Sequence, residues 1–159
     1  MNLFILKPEV AGQKGDATVI TNYDELRSGA ALYPEVTRLE YEFYGWLGDE
    51  LLESFPVFIA TVDLQRTIEA ASLSGAEFRP VVISKSEFFM EAHDYDLPAF
   101  VWFVPRGRVT IEGSEITSWT GEDFNLAQRA ELVVTGKGLT ILRRHRIGHC
   151  EITPLNSRE

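Results

Sequence analysis

This sequence is poor in the residues and motifs that usually reveal chemistry. Cys150 is the one cysteine among 159 residues, so the chain cannot form an internal disulfide. A chain with a single free thiol is typical of a reducing compartment, or of a protein whose fold does not depend on the redox state of its surroundings. The sequence has no glycine-rich phosphate loop, no CxxC pair, no HExxH metal motif and no GxSxG nucleophile motif. We therefore assign no catalytic or metal-binding residue and expect no cofactor.

Basic charge and long apolar runs are also scarce. Lys and Arg number 15 against 24 Asp and Glu, which gives a net charge of −9. Nucleic acids and anionic membranes are bound through basic side chains, so this balance argues against both as partners. It suits a partner with a basic surface, although many proteins are acidic for solubility alone. The N-terminal apolar run, 3–6, is too short for a secretory signal or a membrane span, so we expect a cytoplasmic protein.

The sequence contains an internal echo. Segment 56–81 aligns without a gap on segment 130–155, with three identities and matching apolar positions. Each copy has an apolar run, a threonine suited to cap a helix, a short amphipathic stretch, a turn of small residues and an alternating run. We predict two equivalent strand–helix–strand units. The prediction requires that Ile59 and Val133 are both buried, and that Phe78 and Ile152 are both buried, each pair on corresponding strands.

Cys150 falls in the second copy, where it aligns with Ala76. The alignment predicts a small apolar position that faces the core. The alternatives are a thiolate nucleophile with His149 or His145 as its base, or a metal site built from these three residues. Neighbouring residues on a strand point to opposite faces, so His149 and Cys150 should not share a side. We interpret Cys150 as structural.

The remaining segments indicate more strand than helix. Residues 39–43 alternate apolar with charged side chains and predict a half-buried strand, whereas 99–104 predict a strand that is apolar on both faces. Residues 106–119 predict a hairpin that turns at 113–114. Residues 121–129 are predicted to form a loop or short turn that leads into the second copy.

Two further helices are predicted, a short one over residues 21–29 and one over residues 84–93. A capping box from Ser84 to Glu87 marks the start of the second, and Phe88 and Phe89 are assigned to the core. No linker or charge block divides the chain. Together these elements predict a single α+β domain, 1–159, with a mixed or mainly antiparallel sheet and short helices packed on it.

Three stretches carry a family resemblance: 55–84 (FPVFIATVDLQRTIEAASLSGAEFRPVVIS), 97–104 (LPAFVWFV) and 123–155 (DFNLAQRAELVVTGKGLTILRRHRIGHCEITPL). They resemble a bacterial family of immunity proteins, family eleven of the polymorphic-toxin systems, over about half the chain. The resemblance implies a protein that binds and neutralises a cognate toxin stoichiometrically, without catalytic residues of its own. The net negative charge would then speed association with a basic toxin.

Two acidic stretches with aromatic residues lie outside the echoed segments, and loops carry recognition more often than cores do. We predict that they contribute to partner binding through these residues: Glu91, Asp94, Tyr95, Asp96, Trp119, Glu122 and Asp123. The alternative is that both stretches are ordinary solvated loops. Two other function classes also stay open: a small enzyme or ligand-binding domain with an unrecognised pocket, and a structural subunit.

Overall fold

The computed structural model describes residues 2–93 and 96–157. Within these residues the chain forms fifteen strands and four α-helices. The helices are α1 (Tyr23–Ser28), α2 (Val62–Ala70), α3 (Glu87–Ala92) and α4 (Gly136–Leu142). The strands are β1 (Leu3–Lys7), β2 (Gly12–Lys14), β3 (Val19–Ile20), β4 (Val36–Arg38), β5 (Glu40–Phe43), β6 (Leu51–Ser54), β7 (Val57–Thr61), β8 (Ala76–Arg79), β9 (Val82–Lys85), β10 (Phe100–Pro105), β11 (Gly107–Glu112), β12 (Glu115–Trp119), β13 (Phe124–Ala127), β14 (Glu131–Thr135) and β15 (Glu151–Ser157).

The predicted α+β class is confirmed. The described strands divide among four sheets rather than one: a closed six-stranded barrel in the order β1-β14-β13-β11-β12-β15, a sheet in the order β6-β7-β10-β8, a sheet in the order β2-β5-β9, and the pair β3-β4. Most strand pairs are antiparallel, and β5 with β9, β11 with β13 and β12 with β15 are parallel. The barrel and the sheet β2-β5-β9 are therefore mixed and the other two sheets are antiparallel, in line with the predicted mixed or mainly antiparallel architecture.

The two echoed segments adopt the same order of elements. β7 leads into α2 and β8, and β14 leads into α4 and β15. Ile59 and Val133 are fully buried, and Phe78 and Ile152 are partly buried against the same apolar core. The predicted repeat is confirmed, with corresponding positions that face the same way.

Each unit of the repeat is larger than the echoed segment. β6 pairs with β7, and β13 pairs with β14, as antiparallel hairpins. A fourth strand is inserted in each unit, since β10 lies between β7 and β8 whereas β1 lies between β14 and β15. The orders β6-β7-β10-β8 and β13-β14-β1-β15 are thus equivalent.

The inserted strands match in register as well as in place. Both pair with residues that the echo aligns: Trp102 with Ile59 and Arg79, and Ile5 with Val133 and Thr153. β1 precedes the first unit in the chain but lies in the second, and β10 precedes the second unit but lies in the first. The two halves are therefore interlocked by an exchange of their first strands. The largest apolar core accordingly contains residues of both halves, among them α2 residue Leu64 and α4 residue Leu139.

Threonine caps begin both helices of the repeat, as the sequence predicts. The Thr61 hydroxyl oxygen accepts from the Leu64 N–H at 3.1 Å, and that of Thr135 accepts from the Gly138 N–H at 3.1 Å. Such a cap satisfies a backbone donor that the helix leaves unpaired. The same physical device therefore fixes the strand-to-helix turn in each half.

Three local predictions are wrong. Ser86, not Ser84, caps α3, and the Ser84 hydroxyl instead donates to Glu40 at 2.6 Å. Part of the predicted loop 121–129 forms β13, which is buried along its length. Phe88, which was assigned to the core, is 64% exposed, although Phe89 is buried. In a helix of only six residues, one aromatic side chain faces the sheet while its neighbour faces solvent.

None of the described helices has the length and apolar composition needed to cross a membrane.

Candidate functional site

The first predicted stretch lies at the end of α3 and in the segment that follows it. Glu91 and Asp96 are both exposed. Asp94 and Tyr95 lie outside the described residues. The structure thus leaves the two described carboxylates of this stretch accessible to a partner.

The second predicted stretch is tied into the fold. The Trp119 indole N–H donates to the Glu122 carbonyl and to Asn125 Oδ1, both at 3.2 Å, while the ring packs in a small apolar cluster beside β11. The Asp123 carboxylate accepts from the Ser74 N–H at 2.9 Å and from the Thr135 hydroxyl at 2.7 Å. Trp119 and Asp123 therefore stabilise the fold through these contacts. Glu122 is half-buried, with its carbonyl oxygen accepting from Trp119.

A set of exposed apolar side chains lies beside the first stretch. Val10 and Leu47 are each 67% exposed, Phe88 is 64% exposed and Tyr44 is 39% exposed. These four side chains are therefore more exposed to solvent than apolar side chains in the core or on a half-buried strand. Exposed apolar groups with a polar rim are typical of protein-binding surfaces.

Hydrogen bonds hold the segments that carry these side chains next to one another. The Tyr44 N–H donates to the Ala11 carbonyl at 2.9 Å, and the Leu47 N–H donates to Glu9 Oε2 at 2.7 Å, so Val10 lies between two anchored residues. The Ser86 N–H donates to the Phe43 carbonyl at 2.9 Å and thereby attaches the start of α3 to the same segment. We define the apolar–acidic surface as Val10, Tyr44, Leu47, Phe88, Glu91 and Asp96.

A groove borders this surface at Leu47. Its volume is about 590 Å³, and Asp49, His149, Cys150 and Arg146 are among the residues that line it. His149 Nδ1 is 2.9 Å from Asp49 Oδ1, and the His149 N–H donates to Asp49 Oδ2 at 2.8 Å. The hydrogen bond that His149 donates to Asp49, reinforced by the charges of Asp49 and Glu9, raises the pKa of His149 above its ordinary value.

Glu9 lies on the inner side of the same cluster. It is 6% exposed and Asp49 is 2% exposed, so two carboxylates are buried side by side. Burial raises the pKa of Glu9, while hydrogen bonds from the Leu47 and Asp49 amides act against the rise. One candidate ligand atom from each of Glu9, Asp49 and His149 lies within 4.8 Å of the others.

Cys150 takes no part in this cluster as a reactive thiol. It is partly buried against the main apolar core, as the alignment with Ala76 predicts. Burial, together with the nearby charge of Asp49, raises the pKa of the Cys150 thiol to about 12. The thiol therefore stays protonated at neutral pH, which removes the nucleophile that a cysteine mechanism needs.

A second histidine forms a chain of polar groups that resembles a catalytic relay. His145 Nδ1 is 3.0 Å from Glu50 Oε1, and His145 Nε2 is 2.8 Å from the Thr67 hydroxyl. Thr67 lies in the middle of α2, and its hydroxyl also donates to the Asp63 carbonyl at 3.2 Å. A helical threonine bonded to its own backbone is held away from the orientation that nucleophilic attack requires. The chain instead links α2 to the turn after α4.

Glu50 is the centre of that link. It accepts from the Thr61 hydroxyl at 2.8 Å and from the Arg146 N–H at 2.9 Å. Burial acts to raise the pKa of Glu50, but the hydrogen bonds from Arg146, Thr61 and His145 together lower it. Glu50 is therefore an ionised carboxylate that holds a helix cap and a turn of the other half in place.

No protein-family model matches the sequence, and no curated protein matches it. The resemblance to the immunity family therefore stays a prediction that rests on the core residues quoted for it.

Sequence reasoning missed Glu9, Asp49 and Glu50 as members of any site. Asp49 and His149 are 100 positions apart, and Glu9 is 40 positions from Asp49. No spacing motif links residues at such separations, because the fold alone brings them together. Glu50 and Asp123 each directly precede the first strand of a paired hairpin, but they lie outside the echoed segments, and the gapless alignment would pair Asp123 with Asp49.

Proposed function

We propose that this protein is a cytoplasmic immunity protein that binds a cognate bacterial toxin stoichiometrically and neutralises it. The observation that carries the proposal is the apolar–acidic surface. Four accessible apolar side chains, with Glu91 and Asp96 beside them, suit a partner with apolar pockets inside a basic surface. The resemblance of the repeat to the immunity family and the net charge of −9 support the same conclusion.

The two kinds of residue on this surface have different tasks. Phe88 and Leu47 would fill pockets on the toxin, since buried aromatic and aliphatic anchors supply most of the energy of an interface. Glu91 and Asp96 would steer the encounter and reject acidic proteins. A stable complex needs a total contact area of roughly 1,600 Å², so neighbouring residues of the groove would also be covered.

A protection assay tests this function in cells. The toxin would be the product of the gene adjacent to the one that encodes this protein, expressed from an inducible promoter with or without the immunity partner. We expect growth with the wild type and loss of growth with Phe88→Glu. Leu32→Glu is the matched control, because Leu32 is 54% exposed and adjoins Tyr33, which contacts Arg108 of β11, a strand that carries no residue of the apolar–acidic surface. A neighbouring gene that encodes a metabolic enzyme, or equal protection by both variants, would contradict the proposal.

A ligand-binding or enzymatic function is the second candidate. The groove beside His149 favours it, because His149 and Asp49 line the groove and Glu9 lies close to both. Screening the purified protein against small anionic and cationic metabolites by thermal shift would distinguish this candidate from a protein that binds only a protein partner.

A further inference from the structure

Three segments that are distant in sequence meet at one point of the fold. Glu9 follows β1, Asp49 precedes β6, and His149 precedes β15. One carboxylate oxygen or imidazole nitrogen of each lies within 4.8 Å of the other two. All three are side chains that bind metals.

We propose that Glu9, Asp49 and His149 form a binding site for a divalent transition-metal ion, with Zn²⁺ as the first choice. This site adjoins the proposed partner surface at Leu47, but metal binding there does not depend on the proposed function. The three side chains supply two oxygen ligands and one nitrogen ligand, and the groove leaves room for water in the remaining position.

The distances are close to those that such an ion requires. His149 Nδ1 and Asp49 Oδ1 are 2.9 Å apart and share a hydrogen bond. Two ligands of a tetrahedral ion that each lie about 2.1 Å from it are separated by about 3.4 Å. The ion would therefore take the place of the proton in this hydrogen bond, and the two side chains would separate by about 0.5 Å to admit it.

The surroundings hold the ligands as a metal site requires. Glu9 accepts from the Leu47 and Asp49 amides at 2.7 Å and 3.3 Å, and Asp49 accepts from the His149 amide at 2.8 Å. Hydrogen bonds of this kind fix the direction of a ligating carboxylate while leaving lone pairs for the ion. Both carboxylates are at least nine-tenths buried, so side-chain motion is restricted.

The chemistry of the donors also points to a metal ion. Two carboxylate side chains with little access to water lie side by side, and buried carboxylates are commonly paired with a cation or coordinate a metal. The imidazole ligand favours Zn²⁺ over Mg²⁺, Ca²⁺ and Mn²⁺, which suit oxygen ligands.

Isothermal titration of the purified full-length protein with ZnCl₂ tests the site. We expect one ion per chain and a higher melting temperature with Zn²⁺ than with the chelator EDTA. His149→Gln should weaken the affinity at least about tenfold, because one of three protein ligands is lost. His149 is exposed, so this variant should fold, and circular dichroism would confirm it.

Two control variants separate this site from other zinc-binding groups. His93→Gln removes a histidine from the end of α3, and Cys150→Ala removes the thiol beside His149. Both should bind Zn²⁺ as the wild type does. Equal binding by His149→Gln and the wild type, or no binding stronger than millimolar by the wild type, would overturn the proposal and leave the cluster as a purely structural clamp.

Discussion

Glu50 and Asp123 perform the same task in the two halves of this protein. Each carboxylate accepts from the capping threonine of its own half, at 2.8 Å for Thr61 and 2.7 Å for Thr135. Each also accepts from a backbone N–H of the turn after the helix in the other half, both at 2.9 Å. The two carboxylates therefore join the halves reciprocally, in addition to the exchanged first strands.

The first prediction concerns Asp123. Asp123→Ala should lower the free energy of unfolding by about 2 kcal/mol, because hydrogen bonds to a carboxylate contribute about that much and three donors, the Ser74 N–H, the Ser74 hydroxyl and the Thr135 hydroxyl, lose their acceptor. Urea denaturation followed by fluorescence would measure it. Glu122→Ala is the matched control, since its side chain accepts none of the hydrogen bonds found among residues 2–93 and 96–157. A loss of stability that is equal in both variants would contradict the role given to Asp123.

The repeat shows what the sequence can predict. The echo depends on core positions and capping threonines, which are local and periodic, so β7, α2, β14 and α4 could be predicted from it. The exchange of β1 and β10 could not be predicted, because each strand reads as an apolar run with no signal of which neighbours it pairs with. Strand pairing over such separations is decided by tertiary packing.

The second prediction concerns Cys150. Cys150→Ala should lower stability by no more than about 1 kcal/mol, because a small, partly buried side chain is replaced by one that the equivalent position already carries in Ala76. Thermal unfolding would measure the change, and the protection assay would show unchanged function. Loss of protection by this variant in its folded form would mean that the thiol is functional.

The third prediction concerns Glu53, whose pKa is raised from 4.5 to about 7 by burial. A carboxyl group whose pKa is raised in the folded state stabilises the fold when protonated. Its contribution is fully present below pH 4.5 and is lost as the pH rises to about 7. Relative to Glu53→Gln, the wild type should therefore lose up to about 3 kcal/mol of stability across this window.

Urea denaturation at several pH values would measure this difference. Glu112→Gln is the control, because Glu112 is exposed and its substitution should leave the pH profile of the wild type unchanged. Parallel pH profiles for Glu53→Gln and the wild type would show that Glu53 titrates in the fold as it does in solvent.

The candidate sites were less predictable than the fold. The sequence offers two serines, Ser84 and Ser86, as possible caps of α3. The structure uses Ser86, and this choice sets which side of the helix faces the sheet, so that Phe89 is buried and Phe88 is exposed. Glu9, Asp49 and His149 lie in three separate segments between the regular elements, so no periodicity could group them. Charge and composition pointed equally to the two acidic stretches, 91–96 and 119–124. In the second stretch, however, Trp119 and Asp123 make hydrogen bonds that stabilise the fold, and composition alone cannot distinguish that role from partner binding.

The fourth prediction separates steering from anchoring on the apolar–acidic surface. Glu91→Lys with Asp96→Lys should slow association with the toxin and weaken its dependence on salt, because like charges would then face each other. Asp24→Lys with Glu25→Lys makes the same change in net charge on α1 and should have a smaller effect. Phe88→Ala should mainly speed dissociation, since an anchor prolongs the life of the complex. Stopped-flow and surface plasmon resonance would measure these rates.

Titration of the purified protein with the toxin domain encoded by the adjacent gene tests the central claim most directly. Calorimetry should show one-to-one binding at nanomolar affinity, and the bound toxin should lose its activity in the same stoichiometric range. The Phe88→Glu variant should bind at least about a hundredfold more weakly, while Leu32→Glu binds as the wild type does. Absence of binding by the folded wild type, or binding that leaves the toxin fully active, would contradict the account.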